Sequence, residues 1–167
     1  MNQDTYFQVI NGKTASLFSA ACQVGGIRGG AKDNEHQALK SFGTNFGMAF
    51  QLIDDAIDYS SNSKTMGKNI GDDFKEGKIT LPIILAYGRS NNEEKKFLQN
   101  VISNPKEDQN NFKFTKELLI KYKCIEDTLI RANHFADIAV DSLTIFNDNE
   151  YKEALVKLIE TSIKRLA

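Results

Sequence analysis

A chain of 167 residues, 41% apolar and 26% charged, has the length and composition of one globular domain with a sizeable core, which excludes disorder as the default. Its formal charge of -1 and pI near 6.1 give no global electrostatic case for nucleic acid or an anionic membrane surface. Cys22 and Cys124 lie far apart without a Cys-x-x-Cys or His-rich context, no apolar run is long enough to span a bilayer, and Met1-Asn-Gln-Asp-Thr5 lacks signal-peptide regions; a soluble, cytoplasmic chain without zinc or disulfides is expected.

Phe7, Ile10, Leu17, Phe18, Ala21 and Val24 recur at helical steps, which predicts an amphipathic helix from Tyr6 to Val24, ended by Gly25-Gly26 and Gly29-Gly30. A longer helix is expected from Asn34 or Glu35 to Tyr59, apolar nearly all round as in the middle of a bundle. Within it, Gly43 and Gly47 allow close helix approach, and the small residues Thr44 and Gly47 should leave space above the acidic stripe described below. Ser60 to Lys78 reads as a polar, Gly-rich loop, after which Thr80-Leu-Pro82 restarts helix with proline in the first turn.

Asn91 with Glu93 and Glu94 reads as a cap and acidic first turn leading into Phe97, Leu98, Val101 and Ile102, stopped at Asn104-Pro105. A polar stretch, Lys106 to Asn111, precedes helices expected over Thr115 to Tyr122, Glu126 to Phe146 and Glu150 to Leu166. No strand pattern, internal repeat or second-domain linker is visible. The expected architecture is therefore a single all-α domain over 1–167, a helical bundle.

One stretch conflicts with burial. In Gln51-Leu-Ile-Asp-Asp-Ala-Ile-Asp58 the polar residues Gln51, Asp54, Asp55 and Asp58 fall at i, i+3, i+4 and i+7, so they share a narrow stripe of an otherwise apolar helix. Three carboxylates about 6 Å apart repel by roughly 3 kcal/mol per pair at an effective dielectric near 20. Such a stripe calls for cations, and hard divalent metals suit oxygen ligands. The alternative, an ordinary solvated face, is usually broader and mixed in sign. Lys68 and Lys78 follow in the Gly-rich segment Gly67-Lys-Asn-Ile-Gly-Asp-Asp-Phe-Lys-Glu-Gly-Lys-Ile-Thr-Leu-Pro82, and carboxylates with converging lysines suggest metal-bridged phosphate. Gly12-Lys13-Thr14 superficially matches the end of a nucleotide-binding loop. However, Phe7 occupies the first glycine's position and a helical pattern precedes it.

Together, Lys13-Thr14-Ala-Ser-Leu-Phe18, Phe50-Gln-Leu-Ile-Asp-Asp-Ala-Ile-Asp-Tyr59 and the Gly67–Pro82 segment closely resemble the trans-isoprenyl (polyprenyl) diphosphate synthases, most of all the bacterial octaprenyl-like branch. The resemblance implies an all-α isoprenoid synthase fold, here partial. It further implies Asp54, Asp55 and Asp58 holding Mg²⁺ against an allylic diphosphate, and Lys13, Lys68 and Lys78 contacting that diphosphate. Thr14 and Gln51 would face the allylic carbon, and Asp72 and Asp73 would order the loop first and meet metal second.

The family's first aspartate-rich motif, the arginine pair after it and the basic site for isopentenyl diphosphate have no counterpart here. The chain is thus expected to correspond to the C-terminal half of a synthase, inactive alone, and to form a homo-oligomer or associate with the missing N-terminal half. A non-catalytic partner subunit or truncated remnant, and a terpene cyclase, are the competing readings. His36 and His134 read as structural or exposed, and Cys22 and Cys124 as buried small apolar side chains.

Overall fold

In a computed structural model the described residues are 2–60, 71–104 and 108–164, and among them there is helix but no strand. In chain order they form α1 (Gln3–Ile10), a π-helical turn (Asn11–Ala15), α2 (Ser16–Gly29), α3 (Asp33–Ile57), α4 (Asp72–Lys75), α5 (Leu81–Arg89), α6 (Asn92–Ser103), α7 (Gln109–Lys121), α8 (Cys124–Ser142), a 3₁₀ turn (Leu143–Ile145) and α9 (Glu150–Ile163). The chain divides into two compact units, one of residues 1–6 and 54–129, the other of residues 7–53 and 130–167.

The second unit is built on α3. Phe42, Phe46 and Ala49 share a buried cluster with Ala136 and Ala139 of α8, Leu143, and Ile159 of α9, with Phe18 and Cys22 of α2 packed against it. The Phe18 ring stands edge-on to Phe46 at 5.1 Å, a favoured aromatic geometry. The inner face of α2 approaches α3 so closely because α3 carries glycine at two crossing positions. An alanine Cβ at Gly43 would lie 2.6 Å from the Phe18 carbonyl oxygen, and one at Gly47 2.5 Å from Ala15 Cα. The close approach expected of these glycines is present; the space expected above the acids at Gly47 is filled by Ala15.

The first helix departs from its expected span. It runs through Gly25 and Gly26 to Gly29 because Gly26 is buried against the Leu39 side chain, and it ends where Gly30 takes φ +70 and the Ala31 N–H donates to the Gly26 carbonyl.

In the unit of residues 1–6 and 54–129, α5 buries Leu81, Pro82, Ile83, Leu85 and Ala86, with Pro82 in its first turn. Asn91 caps α6 by accepting the Glu93 and Glu94 N–H groups, and Glu94 Oε2 accepts the Asn91 N–H, a complete capping box that contributes about 1 kcal/mol. Glu94 also accepts from Lys121 Nζ at 2.6 Å and from the Tyr122 hydroxyl at 2.7 Å, which ties α6 to the end of α7. α7 begins at Gln109, six residues before the expected helix start, because Asp108 caps it by accepting the Asn110 and Asn111 N–H groups. Pro105, like Lys68 and Arg165, lies outside the described residues.

Candidate functional site

The acidic stripe sits on the last turns of α3. Asp54 is partly exposed, whereas Asp55 and Asp58 are buried at 3% and 8% exposure. Two buried carboxylates require partners. Asp55 Oδ2 accepts a 2.5 Å hydrogen bond from the Tyr6 hydroxyl, reaching in from α1. Burial first, and then the charge of Asp55, raise the Tyr6 phenol far above its ordinary range, so it stays a neutral donor.

Asp58 has a different task. Its Oδ1 accepts the Asp72 N–H and its Oδ2 the Asp73 N–H, both at 3.1 Å, while its carbonyl accepts the Gly71 N–H at 3.0 Å. Those two N–H groups are among the orphan donors of α4's first turn, so Asp58 caps this helix from fourteen residues away in sequence. A short helix thereby replaces part of the loop expected over Ser60–Lys78. Gly71 permits the turn at φ +82, and the ring of Phe112 lies against it where a Cβ would be.

Capping brings more negative charge to Asp58. Burial first, and then the Asp73 carboxylate, push the Asp58 carboxyl up to about 7, although the backbone donors pull the other way. Lys78 Nζ bridges Asp73 Oδ1 at 2.9 Å and Glu76 Oε2 at 2.8 Å, and those hydrogen bonds raise its ammonium above the ordinary lysine range. Lys78 is thus fully charged and already seated on carboxylates. Chemically, Asp54, Asp55, Asp58, Asp72 and Asp73 are hard oxygen donors suited to a divalent cation. Among the described residues, no three acidic, histidine or cysteine side chains enclose a metal position by themselves.

Lys13, Thr14 and Gln51 belong to the other unit. Lys13 is exposed and Thr14 half-buried on the π-helical turn, a local widening found frequently at functional sites. The Thr14 hydroxyl donates to Gln51 Oε1 at 2.7 Å, which fixes the amide's orientation on α3. Ala15, pressed on Gly47, anchors the turn.

Sequence reasoning missed Tyr6 as a partner of the stripe and the π-helical turn beneath Lys13. For Tyr6 a signal existed: a tyrosine on the buried face of a helix, one side of Ile10, needs a hydrogen-bond partner for its hydroxyl. His134 is exposed, Cys124 is fully buried as expected, and Cys22 is only half-buried.

Residues 1–119 match the profile of the polyprenyl synthetase family. The chain belongs to this family. It is 35% identical to octaprenyl diphosphate synthase from Haemophilus influenzae over 98% of its own length and 50% of that protein's. Among solved structures, it resembles polyprenyl synthase from Caulobacter crescentus complexed with calcium and isoprenyl diphosphate, at TM-score 0.93 and 40% identity over 100% of this chain and 51% of that one. Decaprenyl diphosphate synthase from Rhodobacter capsulatus superposes at TM-score 0.92 with 37% identity, covering 100% of this chain and 51% of the other. As a family member, this chain spans about half the length of the relatives it matches.

Proposed function

We propose that this chain is the allylic-diphosphate half of a polyprenyl diphosphate synthase, one domain's C-terminal portion, acting in the cytoplasm in isoprenoid quinone side-chain synthesis. The reaction is the condensation of an allylic diphosphate with isopentenyl diphosphate. The observation that carries this reading is the capping of α4 by Asp58, which gathers Asp72, Asp73 and the Asp73-bound Lys78 beside the acidic end of α3. A related family protein with bound calcium and isoprenyl diphosphate supports it, since calcium is likewise a hard dication taken by oxygen ligands.

In this reading Asp54, Asp55 and Asp58 would be the residues that offer oxygens to Mg²⁺, a hard dication suited to carboxylate and phosphate ligands. When bound, Mg²⁺ neutralises the leaving diphosphate. Lys78, and by family resemblance Lys13 and Lys68, hold diphosphate oxygens as ammonium point charges. Thr14 orients Gln51 so that its carbonyl dipole faces the allylic carbon as positive charge develops. The Tyr6 hydroxyl fixes the orientation of the buried Asp55 carboxylate.

The test is calorimetric titration of inorganic pyrophosphate and geranyl diphosphate into the full chain, with and without Mg²⁺. Mg²⁺-dependent affinity that Asp54→Ala weakens on the order of tenfold or more is expected, as for loss of one charged ligand. Affinity indifferent to Mg²⁺ and to Asp54→Ala overturns the reading. Supplied with both diphosphates, the chain alone is expected to give little or no product, and steady turnover would refute the need for a second half. A non-catalytic partner subunit is the second reading, favoured by the chain's spanning only about half of its relatives.

A further inference from the structure

Besides its cap on Asp58, α4 takes part in a second concave feature. A cleft of about 390 Å³ is lined, among the described residues, by Gly71, Phe74 and Lys75 from the α4 side and by Asp108, Phe112 and Lys116 from the start of α7. All of them belong to one compact unit. The volume falls in the range of small-molecule sites, on the order of 300–1,000 Å³. Its apolar part is fixed by packing: the Phe74 and Phe112 rings meet at 5.2 Å between centroids, and Phe112 also occupies the place a Cβ at Gly71 would take. Lys116 Nζ stands 5.8 Å from the Phe112 ring centroid, which puts a positive charge over that apolar surface. Lys75 adds a second ammonium; its Nζ lies 4.0 Å from Asp72 Oδ1, the outer limit of an ion pair, and at 39% and 45% exposure such a pair holds its partners weakly. Asp108 contributes a carboxylate whose Oδ1 already accepts the Asn110 and Asn111 N–H groups. Two ammoniums against one carboxylate leave these lining groups with one net positive charge.

We infer that this cleft is an effector site for a small amphipathic organic anion, whose binding strengthens the hold on diphosphate by keeping α4 in place. The apolar body lies on Phe74 and Phe112, and the anionic head is held by the ammoniums of Lys75 and Lys116. A neutral hydrocarbon would bury against the rings but gain nothing from the lysines, and an inorganic anion would leave the rings uncovered. The coupling follows from the size of α4. With four residues it is too short to persist by its own hydrogen bonds, so its contacts decide whether it is formed. Asp58 supplies one set of contacts and the cleft supplies another. The Lys78 N–H donates to the Asp73 carbonyl at 2.9 Å, and Lys78 Nζ donates to Asp73 Oδ1 at 2.9 Å, so Asp72, Asp73 and Lys78 are ordered together with α4. A ligand seated on Phe74 and Lys75 favours the same ordered segment that Mg²⁺-bound diphosphate requires, and by linkage each ligand then strengthens the other. The coupling rests on the proposed function; the binding of the anion does not.

The test titrates 2-naphthoate and geranate into the full chain without Mg²⁺, followed by calorimetry and by hydrogen-exchange mass spectrometry. Both probes carry one carboxylate, and they separate an aromatic ligand from an isoprenoid one: binding of either supports the site and says which body it prefers. Lys116→Gln and Lys75→Gln, each removing one ammonium, should weaken binding on the order of tenfold or more, whereas Lys96→Gln on α6 should leave it unchanged. At about ten times its Kd the bound probe should slow amide exchange across 72–75 about tenfold, with mid-α3 amides unaffected. With Mg²⁺ present, the same saturation should tighten pyrophosphate binding roughly fivefold in the parent and leave it unaltered in Lys116→Gln. Binding of neither probe, binding indifferent to both lysines, or exchange across 72–75 indifferent to the bound probe overturns the inference. Pyrophosphate that binds with Mg²⁺ but ignores the probe overturns the coupling. A chain that binds the probe and slows 72–75 yet takes no pyrophosphate refutes the proposed function and leaves the cleft standing, so the two failures are distinct results.

Discussion

Replacing Gly47 by alanine tests whether the crossing of α3 with the π-helical turn depends on the absence of a side chain. The added Cβ would meet Ala15 Cα at 2.5 Å, its Cβ at 3.1 Å and its N at 3.3 Å. Ordinary carbon contacts lie near 3.5–4.0 Å, so relief requires the turn to retreat by about 1 Å. The obstruction is backbone, which cannot rotate aside, and this places the cost at the upper end of overpacking, about 3 kcal/mol. Alanine's better helix propensity returns about 1 kcal/mol, leaving a net loss of about 2 kcal/mol. Gly25→Ala is the matched control: it is helical, nothing lies within 4 Å of its position, and it should stabilise by up to about 1 kcal/mol. In a chain of this length each kcal/mol moves Tm by roughly 2–4 °C, so the variants should diverge by about 6–12 °C in far-ultraviolet circular dichroism melts. Equal melting temperatures for Gly47→Ala and the parent would refute the reasoning.

Asp58→Asn leaves one carboxamide oxygen for two backbone donors, so amide exchange at Asp72 and Asp73 should accelerate about tenfold or more while mid-α3 amides stay protected. Hydrogen-exchange mass spectrometry with unchanged rates across 71–75 would contradict the capping role. Glu94 is held at about 2 by hydrogen bonds from Lys121 first and Tyr122 second. Its folded value lies below its unfolded one, so the stability it contributes is present above about pH 4.5 and is lost as pH falls toward 2; Glu94→Gln should flatten Tm against pH in that window. Burial pushes the Cys124 thiol up to about 11, and iodoacetamide at pH 8 should therefore modify it only after unfolding; rapid labelling of the folded chain would show an accessible thiolate instead.

The helices with local start signals were legible. Asn91 with Glu94, Pro82 in a first turn, and Glu150 after Asn149 each sit within four residues of the end they define. Elements stabilised from a distance were not. The one turn of α4 depends on Asp58, fourteen residues before Asp72, and no local window of Gly-Asp-Asp-Phe-Lys carries that information. Asp108 starts α7 in a stretch whose polar residues hide the apolar periodicity. The π-helical turn adds a phase shift between Ile10 and Leu17 that a fixed 100° step cannot register. On α3 the acids were visible because carboxylates interrupt an apolar helix. Their separate holds were not, because Tyr6 and α4 supply those from other parts of the chain.

Those separate holds give the stripe its character. A row of three equivalent carboxylates would splay apart, since mutual repulsion and the cost of burial both favour turning outward. Here Asp55 is retained by a phenol too weakly acidic to ionise, and Asp58 by two backbone donors at the start of a helix. Asp54, the outermost, keeps partial exposure. The inner two acids therefore couple α3 to its neighbours: Tyr6 links Asp55 to α1, and Asp58 links α3 to the segment that ends in Lys78. Displacing that segment uncaps α4 and strands a buried carboxyl with fewer donors, so the position of Lys78 and the charge on Asp58 are parts of one equilibrium rather than independent features.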